Sequence, residues 1–377
     1  MIENPGFLIT ILAFALVLGP LVFLHEFGHY LAGRWFGVKA DEFSIGFGRE
    51  IAGFTDRRGT RWKFGWLPLG GYVRFAGDMN PASQPSPEWL ALPAKERAQT
   101  FQAKPLWQRA IIVAAGPIAN FIVAIVILGA FAFAFGQNVT PSVAGTVLPG
   151  GPAARAGLQA GDRITALGGR SIDEFRDMAI YTFMRPGEAV TIDYVRAGQP
   201  ARTHAVIGAS EFKDRFGNMT RRGMLGIGPG DPVVTPVPLW RAPIVGIEQT
   251  AGIVRDTLDG LQRIILGRIP VSELGGPIKI AKISGQSLAM GPLELVGLIA
   301  LISINLGFIN LLPVPVLDGG HLLFYAVEAV RRRPVEPQVM EWAYRGGLIA
   351  ILALMLFVTL NDLGAFGVWR NLAGLIG

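Results

Sequence analysis

The chain has 377 residues, of which 51% are hydrophobic and 16% are charged. A soluble domain carries about 25% charged residues, so this composition and a mean hydropathy of +0.42 exclude disorder, collagen-like repeats and an ordinary soluble globule. The net charge is +6 and cysteine is absent, which excludes disulfides and thiolate chemistry. We therefore predict a polytopic α-helical membrane protein with a soluble part, in which the basic excess marks cytoplasmic loops and not nucleic-acid binding.

Apolar runs at 6–24, 110–136, 295–317 and 346–360 predict about four transmembrane helices. The first run lacks the basic start and the cleavage site of a signal peptide, so a spanning helix is favoured over a cleavable signal peptide. The predicted segments are 1–36, the first span; 37–107, a cytoplasmic membrane-associated β region with a loop; 108–137, the second span; 138–230, an extracytoplasmic soluble module; 231–290, an extracytoplasmic amphipathic linker; 291–325, the third span; 326–345, a cytoplasmic loop; and 346–377, the fourth span with the C-terminus.

Basic residues near the short loops predict the orientation of the spans. Ten Lys and Arg residues lie within 39–104, and three Arg residues occupy 331–333. Both loops are therefore expected on the cytoplasmic side of the membrane. Both termini and the segment 140–290 are then extracytoplasmic.

A metal-binding pattern, His25-Glu26-Phe27-Gly28-His29, follows the first apolar run. On a helix, residues i and i+4 share a face, so both histidines can reach one metal ion and Glu26 can reach a water beside it. Zinc takes neutral histidine nitrogens and keeps an open position in catalytic sites. Ionisable residues in a membrane span indicate function. We predict one Zn²⁺ per chain, with Glu26 as the general base.

A catalytic zinc site needs a third protein ligand, and two candidates remain. Asp318 is favoured because neighbouring prolines and glycines let its carboxylate leave helical geometry and point inward, although it could instead cap the next helix. Glu50 has a spacing used by soluble zinc proteases but follows a strand-like segment. A fourth ligand would close the open position, so His321 is expected to have a structural or supporting role. His204 is expected to be exposed.

The region between the first two spans contains short strand-like segments at 44–48, 62–66 and 72–75 and a turn at 57–59. We interpret them as small β-hairpins lying against the membrane, followed by an irregular loop over 79–105. Residues 240–267 predict a helix with one apolar face. This helix either packs under the soluble module or lies flat on the membrane.

Residues 143–230 alternate short strands and helices in the pattern of an αβ module. The string PAARAGL at 152–158, followed by GD at 161–162, resembles PDZ domains in the permuted bacterial arrangement. The resemblance implies a loop whose backbone N–H groups would bind a C-terminal peptide that adds as a strand. The loop residues are Met224, Leu225, Gly226 and Ile227.

The zinc motif at 25–29, combined with the Leu-Asp-Gly string at 317–319, resembles the site-2 protease family of intramembrane zinc metalloproteases. The RseP-like bacterial branch is most similar, because a PDZ module lies between spans two and three. Further matching strings occur at 46–48, 68–73, 116–120 and 275–278. Well-known members of that branch carry two PDZ domains, whereas 143–230 holds one, so a two-domain gating scheme is not expected.

The resemblance implies specific site residues. Zinc would be bound by His25, His29 and Asp318, and Asn310 would hydrogen-bond to the substrate backbone. The elements that hold a substrate extended would correspond to Gly46, Phe47, Gly48, Tyr72 and Val73. A helical substrate must unwind first, because its carbonyls are already hydrogen-bonded. The Gly-Pro pair at 116–117 either kinks the second span or allows close helix packing.

The implied activity is regulated intramembrane proteolysis of single-span membrane proteins, either anti-sigma-factor-like substrates or remnant signal peptides. The implied partners are these substrates, the lipid bilayer and a C-terminal peptide, although the PDZ module could instead exclude substrates by size. A membrane scaffold and a transporter are the alternatives. Intact Glu26 and Asp318 argue against a scaffold, and four spans without a visible inverted repeat argue against a transporter.

Overall fold

The computed structural model describes residues 6–77, 92–213, 219–270 and 275–365. The chain divides into two compact units. The first unit consists of Met1–Leu128, Gly246–Val254 and Leu274–Asp362. The second consists of Gly129–Val245, Arg255–Glu273 and Leu363–Gly377.

The elements follow one another in three groups along the chain. The first group is α1 (Phe7–Trp35), β1 (Ala40–Thr55), β2 (Arg61–Phe75), α2 (Ala94–Arg97) and α3 (Leu106–Phe135). The second is β3 (Gln137–Val139), β4 (Ala144–Val147), α4 (Pro152–Arg155), β5 (Arg163–Leu167), β6 (Arg170–Ser171), α5 (Phe175–Phe183), β7 (Ala189–Arg196), β8 (Gln199–Val206), β9 (Gly208–Lys213), β10 (Met219–Met224), β11 (Ile227–Pro229) and β12 (Val233–Thr235). The third is α6 (Ala242–Ile265), α7 (Pro277–Met290), α8 (Pro292–Asn310), α9 (Asp318–Arg331) and α10 (Pro337–Ala365).

Within the described residues, four helices are long and apolar enough to cross a membrane, in agreement with the predicted number. They are Phe7–Trp35, Leu106–Phe135, Pro292–Asn310 and Pro337–Leu363. The first has 29 residues, which at 1.5 Å per residue is about 44 Å and exceeds a hydrocarbon core of about 30 Å.

The third predicted span, 291–325, is wrong as one helix. The chain leaves helical geometry after Asn310, and α9 begins at Asp318. Prolines at 313 and 315 explain the break, because proline lacks an N–H and disfavours helix at the residue before it. The predicted loop 326–345 is also largely helical, since α9 continues to Arg331 and α10 begins at Pro337.

The strands β1 and β2 form one bent antiparallel hairpin where the sequence predicts separate short strands. Residues 50–55 pair with 61–65 beside the turn, and residues 42–45 pair with 71–74 further along. The Asp56 carboxylate closes the turn by accepting the N–H groups of Arg58 and Thr60. Register shifts between the paired segments let two long strands bend where short ones were expected. Of the predicted loop 79–105, residues 79–91 lie outside the described residues.

An unpredicted helix, α7, packs beside the first span. Its Leu288 contacts a cluster formed by Val17 and Leu21 of α1 and Leu295 of α8. The predicted linker over 231–290 is therefore largely helical, with α6 over the expected 240–267 and α7 after it.

The second unit is built on a four-stranded sheet in the order β6-β5-β7-β8, with β11 paired to β4 apart from it. Ile164, Leu167 and Ile192 are fully buried in its core. Asp162 is 1% exposed and accepts hydrogen bonds from Arg196, whose guanidinium holds the pKa of Asp162 below its usual range. The order of strands and helices follows the pattern predicted for this module.

Residues 255–265 of α6 pack against the soluble module. Asp259 accepts a hydrogen bond from Arg185 at 3.1 Å, and Arg263 lies 3.1 Å from Glu188. Arg263 is only 4% exposed, so this ion-pair network is largely shielded from water. Of the two options for the predicted helix, packing under the module applies to this part.

Candidate active site

The two histidines of the zinc motif lie on one face of α1. Their Nε2 atoms are 3.3 Å apart, and His25 is 8% exposed. A hydrogen bond fixes the imidazole of His29: its Nδ1–H donates to the Ile112 carbonyl of α3 at 2.9 Å. That bond leaves His29 Nε2 as the nitrogen that can bind a metal.

Asp318, the first residue of α9, brings a carboxylate to the same point. Its Oδ2 lies 3.2 Å from His25 Nε2 and 3.5 Å from His29 Nε2. The three side chains form a group whose ligand atoms all lie within 4.8 Å of one another. Glu50, the other sequence candidate, is in β1 and accepts a hydrogen bond from Arg61, and it is not a member of this group.

The chemistry of this group fits a zinc ion. Zinc–ligand distances of about 2.05 Å in tetrahedral geometry separate the ligand atoms by about 3.3 Å, and the three separations here are 3.2, 3.3 and 3.5 Å. Asp318 Oδ2 is buried and accepts no hydrogen bond of good geometry from the described residues. Leaving a buried carboxylate oxygen unpaired is costly, and a cation between it and the imidazoles would satisfy it.

The group opens onto a cavity of about 290 Å³. Glu26 is half-buried in its wall, and its carboxylate faces the backbone N–H of Val73 on β2. The lining residues are His25, Glu26, His29, Tyr72, Val73, Phe75, Phe101, Ile112, Val113, Asn310, Val316, Leu317, Asp318 and His321. A base, a polar amide and a strand backbone thus surround the candidate ligands.

The predicted substrate-contact residues divide into two sets. Tyr72, Val73 and Asn310 line the cavity, whereas the described wall does not include Gly46, Phe47 or Gly48, which lie in β1. The structure therefore brings the β2 part of the predicted edge to the candidate ligands, but not the β1 part.

Glycine at position 71 lets β2 approach α1 closely. A Cβ there would lie 2.7 Å from the Ser44 carbonyl oxygen and 3.2 Å from Glu26 Cγ. A side chain at this position would clash with the Ser44 carbonyl of β1 and crowd Glu26.

Two buried residues of α3 support the site. Gly116 was expected only to kink the helix or to allow close packing, and Asn120 had no predicted role. A Cβ at Gly116 would overlap the His29 ring, 2.5 Å from Cε1. Asn120 is 0% exposed, with its Nδ2 at 3.1 Å from His25 Nδ1. A Cβ at Gly28 would also overlap the Ala115 carbonyl, so the close-packing option for the second span holds here. A polar amide inside an apolar run was the available signal for Asn120.

The segment between α8 and α9 is strained at the cavity wall. Val316 has a φ of +90°, which is rare for a β-branched residue and costs about 1–3 kcal/mol. The His321 ring lies 2.8 Å from the Tyr344 hydroxyl, a contact that fits the supporting role expected for it. His204 is exposed, as expected.

The predicted peptide loop of the second unit lies between β10 and β11. Leu225 is 3% exposed and belongs to the core, and its carbonyl accepts the Ala153 N–H. Gly226 has a φ of +75°, and Ile227 begins β11 opposite Val147 of β4. Peptide binding by this loop stays a prediction.

The apolar helices and the group of candidate ligands are typical of one class of protein, membrane-embedded metal-dependent hydrolases. Residues 13–354 match the model of peptidase family M50, and the chain belongs to this family. This confirms the predicted membership of the site-2 proteases.

The chain matches curated relatives over almost their whole length, and their names describe metalloproteases. The chain is 42% identical over 360 residues to a protein of Agrobacterium fabrum named as a zinc metalloprotease, with 94% of this chain and 96% of that one covered. It is 36% identical over 395 residues to metalloprotease MmpA of Caulobacter vibrioides, with 98% and 99% covered. The protein is therefore an integral membrane zinc metalloprotease.

Comparison with solved structures finds similarity to part of the chain. The PDZ domain of an SdrC-like protein from Listeria monocytogenes is 22% identical, with a TM-score of 0.19, and the match covers 25% of this chain and 90% of that domain.

Proposed function

We propose that this metalloprotease cleaves the transmembrane segments of single-span membrane proteins at one zinc ion held by His25, His29 and Asp318. One observation carries the proposal. Three ligand atoms lie 3.2 to 3.5 Å apart, and two of them belong to a helix apolar and long enough to cross a membrane. A hydrolytic site built on such a helix suits a substrate that lies in the membrane.

The chain's own residues supply the proton transfers. Zinc, when bound, supplies Lewis-acid activation of the scissile carbonyl and of the attacking water. Glu26 lies beside both histidines, takes a proton from that water and delivers it to the leaving amine. Asn310, in the wall of the same cavity, donates a hydrogen bond to the substrate backbone beside the scissile peptide.

The substrate is held as an extended strand along β2. Residues 71–74 pair with 42–45 on one side, and Tyr72 and Val73 face the cavity on which the candidate ligands lie. Strand addition supplies main-chain hydrogen bonds that replace those lost when the substrate helix unwinds. Glycines at 46 and 48, each with a φ of +85°, shape the bend of β1 that supports this edge.

We place the protein in a bacterial inner membrane, with both termini and the soluble module extracytoplasmic. The basic residues at 39–104 and 331–333 support this orientation. His25 follows Gly6 by about 28 Å of helix, so the site lies toward the cytoplasmic side. Cleavage then releases the cytoplasmic fragment of an anti-sigma-factor-like protein or a remnant signal peptide. The module, of PDZ type, binds a C-terminal tail or excludes bulky substrates.

The test is Glu26→Gln in purified protein reconstituted with a model single-span substrate. The amide keeps the size of the side chain but cannot act as a base, so we expect cleavage to fall about 10²- to 10⁴-fold while about one zinc per chain remains by elemental analysis. Glu50→Gln makes the same change outside the ligand group and should keep near wild-type cleavage.

Two results would contradict the proposal. Near wild-type cleavage by Glu26→Gln would remove the general base assigned here. Zinc-loaded wild-type protein that cleaves soluble peptides but leaves the single-span substrate intact would show that the substrate class is wrong.

A further inference from the structure

Asn120 is placed to control one of the two histidines. It lies in α3, one helical turn after Gly116, and is fully buried. Its backbone carbonyl accepts the Ser303 hydroxyl of α8 at 2.7 Å, and its side-chain Nδ2 lies 3.1 Å from His25 Nδ1. The side chain of Asn120 therefore places a neutral amide directly behind the His25 ring.

The amide can face the imidazole in two ways. With Nδ2 toward His25, the amide donates and Nδ1 must accept, which places the ring proton on Nε2. With Oδ1 toward His25, the amide accepts and the proton lies on Nδ1. Asn120 Oδ1 is buried and has no hydrogen-bond partner in the described part of the chain, so a 180° rotation of the amide breaks no bond that Oδ1 makes.

Only one of these orientations allows His25 to bind a metal through Nε2. That nitrogen faces Asp318 Oδ2 at 3.2 Å, and it can offer its lone pair only when the proton is on Nδ1. His29 needs no such control, because its Nδ1 faces the Ile112 carbonyl at 2.9 Å, and a carbonyl can only accept. The tautomer of one ligand is thus set by the backbone and that of the other by a side chain.

We propose that Asn120 is a positioning residue whose Oδ1 accepts the Nδ1–H of His25 and so fixes the tautomer that binds metal through Nε2. The inference rests on the zinc site of the proposed function. Hydrogen-bond partners of this kind fix ring orientation and tautomer, and their loss typically weakens metal binding 10- to 100-fold.

The experiment is a titration of metal-depleted full-length protein with Co²⁺, followed by its visible absorption, and with Zn²⁺ in competition with a chelator. Asn120→Leu removes the acceptor at similar volume, and we expect its zinc affinity to fall 10- to 100-fold. Asn120→Asp keeps an acceptor, and its affinity should match or exceed that of the wild type.

The order of the two variants separates positioning from packing. If Asn120 only fills space, Asn120→Leu should retain more zinc affinity than Asn120→Asp, because leucine suits a buried site better than a carboxylate. The order of the two affinities would then be the reverse of the order expected here. Ser303→Ala is the matched control, since it removes the bond to the Asn120 backbone and leaves the amide in place. A loss of zinc affinity in Ser303→Ala as large as in Asn120→Leu would overturn the proposal.

A second readout uses the wild-type protein and does not depend on variants folding. In zinc-loaded protein with ¹⁵N-labelled histidine, the His25 signal should show a protonated Nδ1. A proton on Nε2 contradicts the proposal even if zinc is bound. Wild-type protein that binds no zinc would instead contradict the proposed function, so the two failures are distinguishable.

Discussion

The imidazole of His29 occupies the space that any side chain at Gly116 would need. A Cβ at 116 would overlap the ring, 2.5 Å from Cε1, and the ring cannot retreat without losing its bond to the Ile112 carbonyl. Gly116→Ala should therefore lower zinc affinity and proteolysis at least tenfold, although alanine favours the helix itself.

The matched control is Gly19→Ala, the same change in the first span. A Cβ at Gly19 meets no described atom within 4 Å, so zinc content and cleavage should stay at wild-type level. The two variants are compared by metal analysis and by cleavage of the model substrate. Equal behaviour of both variants would show that Gly116 does not make room for His29.

The Asp318 carboxylate can be tested as a metal ligand. Asp318→Asn keeps the shape but replaces a charged oxygen donor with a neutral amide, a poorer ligand for a dication. We expect lower zinc occupancy after dialysis against a chelator and at least tenfold slower cleavage. Full zinc content together with full activity would remove Asp318 from the ligand set and return Glu50 to consideration.

The site residues that could be predicted from the sequence are recognised by their local spacing or by their own side-chain chemistry. The i, i+4 spacing of His25 and His29 needs only a helix, and Asp318 stands out as a carboxylate between prolines and glycines. The contacts of Gly116 and Asn120 with the two histidines could not be predicted in this way, because those histidines lie on another helix. Asn120 and His25, for example, are 95 residues apart. Those contacts depend on how α1 packs against α3, which the hydrophobic periodicity of either helix does not reveal.

At the scale of elements, the break between α8 and α9 determines where Asp318 points. Hydropathy alone favours one continuous apolar segment over 295–317, because it reports the side chains and not the backbone conformation. Prolines at 313 and 315 end the helix, and the positive φ of Val316 turns the chain before α9 begins. A straight helix would carry Asp318 about 12 Å beyond Asn310, whereas the turn returns both residues to one cavity.

A second element-scale feature is the cap that α10 provides for α7. Asp362, 3% exposed, accepts the backbone N–H groups of Gly276 and Lys279 at 3.2 and 3.0 Å. These donors belong to the first turn of α7, where backbone N–H groups lack intrahelical partners. A carboxylate there also interacts favourably with the helix dipole.

We expect Asp362→Leu to lower stability by about 1–2 kcal/mol. The measurement is thermal unfolding in detergent, combined with hydrogen exchange at the amides of Gly276 and Lys279, where exchange should become faster. Asp362→Asn keeps an acceptor oxygen and serves as the control, with a smaller effect expected. Unchanged exchange in the leucine variant would mean that the carboxylate does not cap α7.

At the scale of the whole molecule, the open question is what the soluble module does for cleavage. The candidate ligands, the base and the described cavity lining all belong to the first unit. The two proposed roles are binding of a C-terminal tail and exclusion of untrimmed substrates by bulk. Residues 137–139 pair with 233–235, so the two ends of a deleted segment 143–230 can be joined by a short flexible linker.

We expect the deletion of 143–230 to keep one zinc per chain and to permit cleavage of a substrate whose outer domain has not been trimmed. A tail-binding role is tested separately at the predicted loop. Leu225 is unsuitable, because it is 3% exposed and an acid there would unfold the core. Met224 is 39% exposed, and Met224→Glu places a negative charge where a peptide carboxylate would bind.

Val206→Glu, at a site 59% exposed in the same module, adds the same charge outside the loop residues 224–227 and is the control. Each variant is measured on trimmed and untrimmed forms of one substrate. Size exclusion requires that only the deletion gains activity on the untrimmed form and that Met224→Glu behaves like Val206→Glu. If the deletion still rejects the untrimmed form while Met224→Glu alone loses cleavage of the trimmed one, bulk is not the barrier and the module acts by recognising the new C-terminus.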